Sequence, residues 1–483
     1  MKDLKLFTQR VGLIGITNII VTFKGIILLP ILTKTIAEEG YGIWTQILVT
    51  IGLISPIATL NLSPAVVRFL SSKTDKSQIK EAFSLIFFTV LISGTVFTLA
   101  LYLISEPLST SFFKFSSHYL QISSILVLIT ALNIVTLEFF RPLGQMKNYA
   151  YLIILRTILE IVFIAYTVLS GYGVEGAIIS LIIAAVIVQV MALGIIFSKY
   201  GCAVPRFSHL RPYLVFGLPI LLLPLIGWII HSSDRYVIGY IMNVDDVGIY
   251  SAAYNIGAVV LAFIAPIQFV LYPTVSKLRD EKNFKGARSY LNYSLKFFLM
   301  LSIPSAFGLS VLSRELLLVI TQESFTEAYL IVALVSFGCI TYGVHSIYSY
   351  ILLIENKTKI LGFIMGFGAI FNLALNIILV PEIGIDGAAI STLLTFVIIA
   401  IFAILISRRY LPLKPDIKFI GKCILASSVM ALIVWKISEW GTPSVLHFLL
   451  EMVLGIGIYF GLLMALRGFG KRELDLFKKM LIP

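Results

Sequence analysis

Long apolar runs follow one another through almost the whole of this chain, and that succession fixes the solvent in which it must fold. A helix needs about 20 mostly apolar residues to cross the roughly 30 Å hydrocarbon core of a bilayer. Runs of that length fall at 11–33, 41–62, 81–104, 118–139, 150–170, 176–197, 212–243, 247–271, 290–312, 327–354, 360–380, 387–407, 418–437 and 445–466. Hydrophobic residues make up 59% of the chain and charged residues only 13%, about half the charged share of an ordinary soluble protein. Within lipid every backbone N–H and C=O must be satisfied internally. The reading is therefore an all-α polytopic membrane protein of about 14 transmembrane helices.

Charge in the connections sets the orientation, because the cytoplasmic side retains the excess of Lys and Arg. With Arg235, Lys418 and Lys436 assigned to the connections beside their spans, the N-terminus, the even-numbered connections and the tail hold 28 basic residues, and the odd-numbered connections hold five. Both termini are expected in the cytoplasm, with the protein in the cytoplasmic (inner) membrane of a prokaryote. The same imbalance accounts for the net charge of +12. It lies in short segments such as RFLSSKTDKSQIK (68–80) and KLRDEKNFKGAR (277–288), which suit anionic phospholipid headgroups rather than nucleic acid. Aromatic residues near the span ends, among them Tyr41, Trp44, Tyr213, Tyr272, Tyr410 and Trp440, fit an interfacial belt. The basic start MKDLKLFTQR runs into the first apolar stretch without a small-residue cleavage site, so it reads as a retained first helix.

The connections leave no room for a soluble catalytic domain, and no G-x-x-x-x-G-K-S/T phosphate loop is present. No cofactor is expected. Cys202, Cys339 and Cys423 are far apart and offer neither a disulfide framework nor a metal-ligand spacing.

A phrase is written twice. GYGVEGAIIS (171–180) returns as EIGIDGAAIS (382–391), YGIW (41–44) as VGIY (247–250), and Ser63-Pro64 as Tyr272-Pro273. The chain thus reads as six helices repeated, with two more appended. Six is even, so both copies enter the membrane in the same direction and form parallel repeats. In transporters such halves enclose a central site that opens alternately to either side. The Gly-Val/Ile-Glu/Asp-Gly phrase itself acts locally, since glycine permits a positive φ in a tight turn and the acid favours the N-terminus of the next helix.

LPILTKTIAEEGYGIW (29–44), SPAVVRFLSS (63–72), DRYVIGYIMNVDDVGIYSAAYNIG (234–257) and the repeated glycine phrase together resemble the polysaccharide-biosynthesis flippases. These are the repeat-unit translocases of O-antigen (lipopolysaccharide) and capsule synthesis in the multidrug/oligosaccharidyl-lipid/polysaccharide transporter superfamily. The resemblance runs from about residue 4 to 466. It implies a six-helix lobe over 1–197, a second over 198–407, and two additional helices with a basic tail over 408–483, around a V-shaped central cavity. It further implies an undecaprenyl-pyrophosphate-linked oligosaccharide as substrate, moved from the cytoplasmic to the outer leaflet. The polymerase and chain-length regulator of the same pathway are the partners it suggests.

Ionisable groups inside a bilayer are costly and normally face a cavity or a partner. Lys24 lies near the middle of the first span, too deep to reach the interface easily, and either contacts a phosphate or sugar acid in the cavity or forms a buried pair. Arg156 and Glu160 stand one turn apart and can pair along their helix, while an Arg fork also binds phosphate oxygens bidentately. Asp234 and Arg235 fall in the outer third of the seventh span and, being adjacent, are expected to point in different directions. They serve a lobe contact, substrate contact or ion coupling. Arg68 and Lys296, near cytoplasmic ends, either receive an incoming pyrophosphate or anchor at the interface. His345 is either a proton relay or hydrogen-bonded packing. Asn372 and Asn376 suit bonding across helices.

Lys24, Arg68, Arg156, Arg235 and Lys296 thus form the candidate basic substrate site, with Glu160, Asp234 and His345 the candidates for ion coupling. A membrane enzyme such as a repeat-unit polymerase would call for a large outer loop or a cluster of acids and histidines, and the sequence displays neither. A cation-coupled exporter of small drugs or metabolites on the same architecture is the alternative, and it would need an acidic cavity.

Overall fold

The computed structural model describes residues 2–71, 75–439 and 444–468, and the side chains of all of these except 2–14, 16, 18, 19, 22 and 272. The basic tail past residue 468 and Trp440 lie outside the described residues, as does the Tyr272 side chain. In chain order the α-helices are α1 (Lys2–Ala58), α2 (Ser63–Leu70), α3 (Lys76–Leu108), α4 (Ser117–Glu138), α5 (Met146–Leu169), α6 (Gly173–Tyr200), α7 (Arg211–Ile220), α8 (Leu222–Ile241) and α9 (Val244–Gly257). They continue as α10 (Ile264–Asp280), α11 (Phe284–Val311), α12 (Ser313–Ile320), α13 (Tyr329–Ile354), α14 (Thr358–Ile383), α15 (Ile385–Ser407), α16 (Ile417–Ser438) and α17 (Val445–Ala465). The described residues contain no strand.

Thirteen helical segments among the described residues are long and apolar enough to cross a membrane. The difference from fourteen lies in α1, whose 57 residues would span about 85 Å, far more than one crossing of about 30 Å requires. Its helical geometry breaks at Ala37 (φ 54°, ψ −165°). The connection expected between the first two spans is thus a single non-helical residue. A left-handed φ on a residue with a Cβ costs about 1–3 kcal/mol, and glycine returns part of this at an entropic cost of about 0.5–1 kcal/mol. Ala37→Gly is therefore expected to stabilise the protein by up to about 1–2 kcal/mol, read as a raised unfolding temperature in detergent. A lowered one would mean that the Ala37 methyl contributes more through packing than its backbone costs.

Prolines divide two other spans. The seventh breaks at Leu221 between α7 and α8, where Pro224 lacks an N–H for the Ile220 carbonyl and its ring crowds that oxygen. The eighth passes through a 3₁₀ stretch, Ala258–Phe263, before α10, and Pro266 stands in the same relation to Ala262.

The chain clusters into two compact units, Met1–Ser251 with Leu373–Gly384 and Ala252–Asn372 with Ile385–Pro483. In the first, α3 packs on α4, and α5 on both α1 and α6. Asn133 Nδ2 donates to Ala185 O at 3.1 Å and Gln189 Nε2 to Thr136 Oγ1 at 3.0 Å, joining α4 to α6. The YGIW and VGIY phrases meet at their glycines: a Cβ on Gly42 would stand 1.9 Å from Val244 O, and one on Gly248 2.2 Å from Glu38 O. Lipid supplies little hydrophobic drive between helices, so close backbone approach at small residues is a principal source of association.

In the second unit α13 packs on α11 and α15, and α16 packs on α11 and α17. Phe298 of α11 occupies the space over Gly343 of α13, where a Cβ would lie 2.0 Å from its Cζ. Tyr459 of α17 donates to Met300 O at 2.8 Å. The repeated glycine phrase has the local geometry expected of it. Gly173 (φ 57°) and Gly384 (φ 63°) are left-handed, and Glu175 and Asp386 sit in the first turns of α6 and α15.

Candidate functional site

The first unit brings together three of the charged residues singled out from the sequence. Glu160 of α5 is 3% exposed, and each of its oxygens takes one cation. Lys24 Nζ of α1 donates to Oε2 at 2.6 Å, and Arg156 Nε donates from one turn away to Oε1 at 2.8 Å. The two bases are partly open, Lys24 at 31% and Arg156 at 24%. The arrangement is asymmetric: a sheltered carboxylate fixes two heads that retain further donors. Lysine has three N–H donors and arginine five, and one of each is directed at Glu160. The group therefore carries one net positive charge and presents directed donors suited to phosphate oxygens.

Asp234 and Arg235 do not diverge as expected. Both are buried in α8, and the Arg235 side chain turns back so that Nη1 donates to Asp234 Oδ1 at 2.7 Å and to His231 O at 2.7 Å. Tyr250 OH donates to Asp234 Oδ2 at 2.5 Å, and its ring centroid lies 5.1 Å from the guanidinium carbon. The reversal follows from burial. Buried away from bulk solvent, Asp234 takes up the nearest donors, and an adjacent Arg is long enough to fold back. Gln46 Nε2 to Arg235 O (3.4 Å), Thr50 with Tyr236 (2.8 Å) and Trp228 Nε1 to Val49 O (2.9 Å) join this stretch of α8 to α1.

The remaining candidates each have partners of their own. Arg68, at the end of α2, lies over the Phe216 ring at 4.5 Å. Lys296 of α11 pairs with Asp416 Oδ2 at 3.7 Å and sits 4.2 Å from the Phe419 ring centroid. His345 is buried in α13, with Nδ1 3.3 Å from Ile399 O and Nε2 3.3 Å from Ser349 Oγ. Asn372 donates to Thr395 Oγ1 at 3.3 Å, joining α14 to α15 across helices as its placement suggested.

One basic residue that the sequence presented only as a connection charge lies in a more structured setting. Arg141 donates to Glu138 Oε2 at 2.7 Å, and both border a cavity of about 530 Å³ with Asn61, Ser63 and Pro224. Nothing in the local pattern marked it, since the wall is built from α1, α2, α4 and α8 together.

Residues 31–330 match the family described as "Polysaccharide biosynthesis protein", and residues 249–455 match that of "Lipid II flippase MurJ". The "Probable low-salt glycan biosynthesis flippase Agl15" of Haloferax volcanii is 25% identical over 61% of this chain and 61% of its own length, so the match spans less than two thirds of that relative. Among solved structures, "Lipid II flippase MurJ, inward closed conformation" is similar at a TM-score of 0.75 and 18% identity, covering 99% of this chain and 100% of that one. An inward-facing multidrug resistance MATE family transporter is similar at a TM-score of 0.70 and 16% identity, covering 80% and 94%.

Proposed function

The chain belongs to the polysaccharide biosynthesis protein family, and we propose that it is a flippase of the multidrug/oligosaccharidyl-lipid/polysaccharide superfamily that carries an undecaprenyl-pyrophosphate-linked oligosaccharide repeat unit from the cytoplasmic to the outer leaflet. The observation that carries this reading is the Glu160 group. Two partly exposed cations, held by one buried carboxylate, give a positive site of the sign and donor geometry that a pyrophosphate requires. Pre-positioning the donors reduces the side-chain entropy lost when the anion arrives. The family relation to polysaccharide synthesis supports a glycan as the remainder of the cargo. Lys24 and Arg156 contact the phosphates in this reading. Arg68, Arg235 and Lys296 guide the headgroup or secure the helices, and Glu160, Asp234 and His345 are the groups through which an ion would couple.

Transport proceeds by alternating access, with the six-helix lobes 1–197 and 198–407 as the moving parts and 408–483 appended. The termini face the cytoplasm, where the excess of basic residues belongs. The relatives are named as flippases and transporters rather than enzymes, and the drive is a gradient or the consumption of product.

The test is reconstitution into liposomes loaded with the lipid-linked glycan, following the fraction reached by an enzyme that trims sugars from outside. Wild-type protein is expected to make both leaflets accessible, whereas protein-free liposomes expose one. The MATE-like fold also suits a small-molecule exporter, but a cationic drug would meet a site of its own sign. Proteoliposomes that move a small cation and leave the glycan in place would establish the exporter instead.

A further inference from the structure

At one end of the second unit, Glu315 in the first turn of α12 meets His447 and Glu451, which lie one turn apart on α17. One ligand atom from each residue can be chosen so that all three lie within 4.8 Å of one another. His447 Nε2 is 3.1 Å from Glu451 Oε1. Glu451 is 1% exposed, and His447 Nε2 is the one cationic group paired with it among the described residues, while neither oxygen of Glu315 makes a hydrogen bond. Two carboxylates against a single imidazole leave at least one buried negative charge, which a bound cation or a shared proton must neutralise.

We propose that these three side chains bind a divalent transition-metal ion, with Zn²⁺ as the probe. The donor set of one imidazole nitrogen and two carboxylates suits zinc and its neighbours better than calcium or magnesium, which favour oxygen alone. It also leaves a fourth position for water. Tetrahedral ligands about 2.0–2.1 Å from zinc stand about 3.4 Å apart, so the trio closes by roughly an ångström on loading. Two carboxylate rotations can supply that movement. His447 is 23% exposed, so an ion can approach along its side of the trio. The bound metal ties the short helix after α11 to the last described transmembrane helix.

The experiment uses tag-free, full-length protein in detergent, stripped with EDTA and dialysed, with bound metal counted by mass spectrometry and unfolding followed at neutral pH with Zn²⁺ or Mg²⁺. Wild type is expected to retain one Zn²⁺ per chain and to unfold at a higher temperature with Zn²⁺ but not Mg²⁺. His447→Gln and Glu451→Gln are expected to lose both responses. Metal-free Glu451→Gln should be more stable than metal-free wild type at neutral pH, because it relieves the repulsion between the Glu315 and Glu451 carboxylates. Equal zinc content and an equal thermal response in wild type and His447→Gln would overturn the site. Stabilisation of wild type by acid alone, without any response to zinc, would also overturn it, because a shared proton would then be what neutralises the carboxylates.

Discussion

Lys24→Ala and Arg156→Ala should each reduce glycan flipping about ten- to hundredfold, the value of a charge-assisted hydrogen bond of about 1.5–3 kcal/mol, while leaving the folded protein at near-normal levels in the membrane. Each change removes one cation and leaves Glu160 paired with the other, so no buried charge is orphaned. Glu160→Gln is expected to behave differently. It leaves two cations facing a neutral amide in a site where the carboxylate is 3% exposed, and breaking a buried pair from one side costs about 3–5 kcal/mol. Its principal effect is therefore a lower unfolding temperature and reduced membrane abundance, with flipping lost as a consequence. The contrast is informative: bases that served only to neutralise Glu160 would show their effect as a loss of stability, with flipping per folded molecule unchanged. The double variant Lys24→Ala/Arg156→Ala closes a thermodynamic cycle, and strong non-additivity is expected because both bases share one carboxylate.

Gly42→Ala and Gly248→Ala should be the most damaging methyl additions in the first unit. A Cβ on Gly42 would stand 1.9 Å from Val244 O, and one on Gly248 2.2 Å from Glu38 O and 2.9 Å from Gly42 N. The obstructing atoms are backbone, so no rotamer change can relieve them, and α1 and α9 must separate. Overpacking of this kind commonly costs about 1–3 kcal/mol and sometimes more. Loss of the close backbone contact adds to that in a bilayer, where packing is a principal source of helix association. A clear fall in unfolding temperature is expected for either variant, with little further fall when they are combined, because one separation accommodates both methyls. Gly194→Ala, where a Cβ would meet nothing within 4 Å, is the control and should be neutral. Equal behaviour of Gly42→Ala and Gly194→Ala would exclude glycine contact as the reason the phrase occurs twice.

The Glu160 group was half legible. Arg156 and Glu160 are four residues apart, and helical periodicity alone places them on one face. Lys24 was conspicuous through its depth in an apolar run. That its partner would be Glu160, 136 residues away, depends on which face of α1 meets α5, and no local pattern records that. Asp234 and Arg235 failed in the opposite sense: adjacency suggested divergence, whereas burial folded one side chain onto the other. The Glu315, His447 and Glu451 trio was not legible at all. His447 and Glu451 show helical spacing, but Glu315 lies more than a hundred residues away in the first turn of α12, and the sequence displays no cluster of acids and histidines.

What the sequence determined by itself was everything the bilayer imposes along the chain. The thickness of the hydrocarbon core sets helix length, the cost of unpaired backbone sets helix as the only element, and glycine marks the turns at Gly173 and Gly384. Charge asymmetry and the repeat supplied an expected orientation and an internal register. Tertiary structure alone decided which charges neutralise one another, where backbones touch at Gly42 and Gly248, and which polar atoms are left without hydrogen bonds. The physical reason is that the solvent constrains each segment separately, whereas pairing energy depends on distances of a few ångströms between segments far apart in the chain.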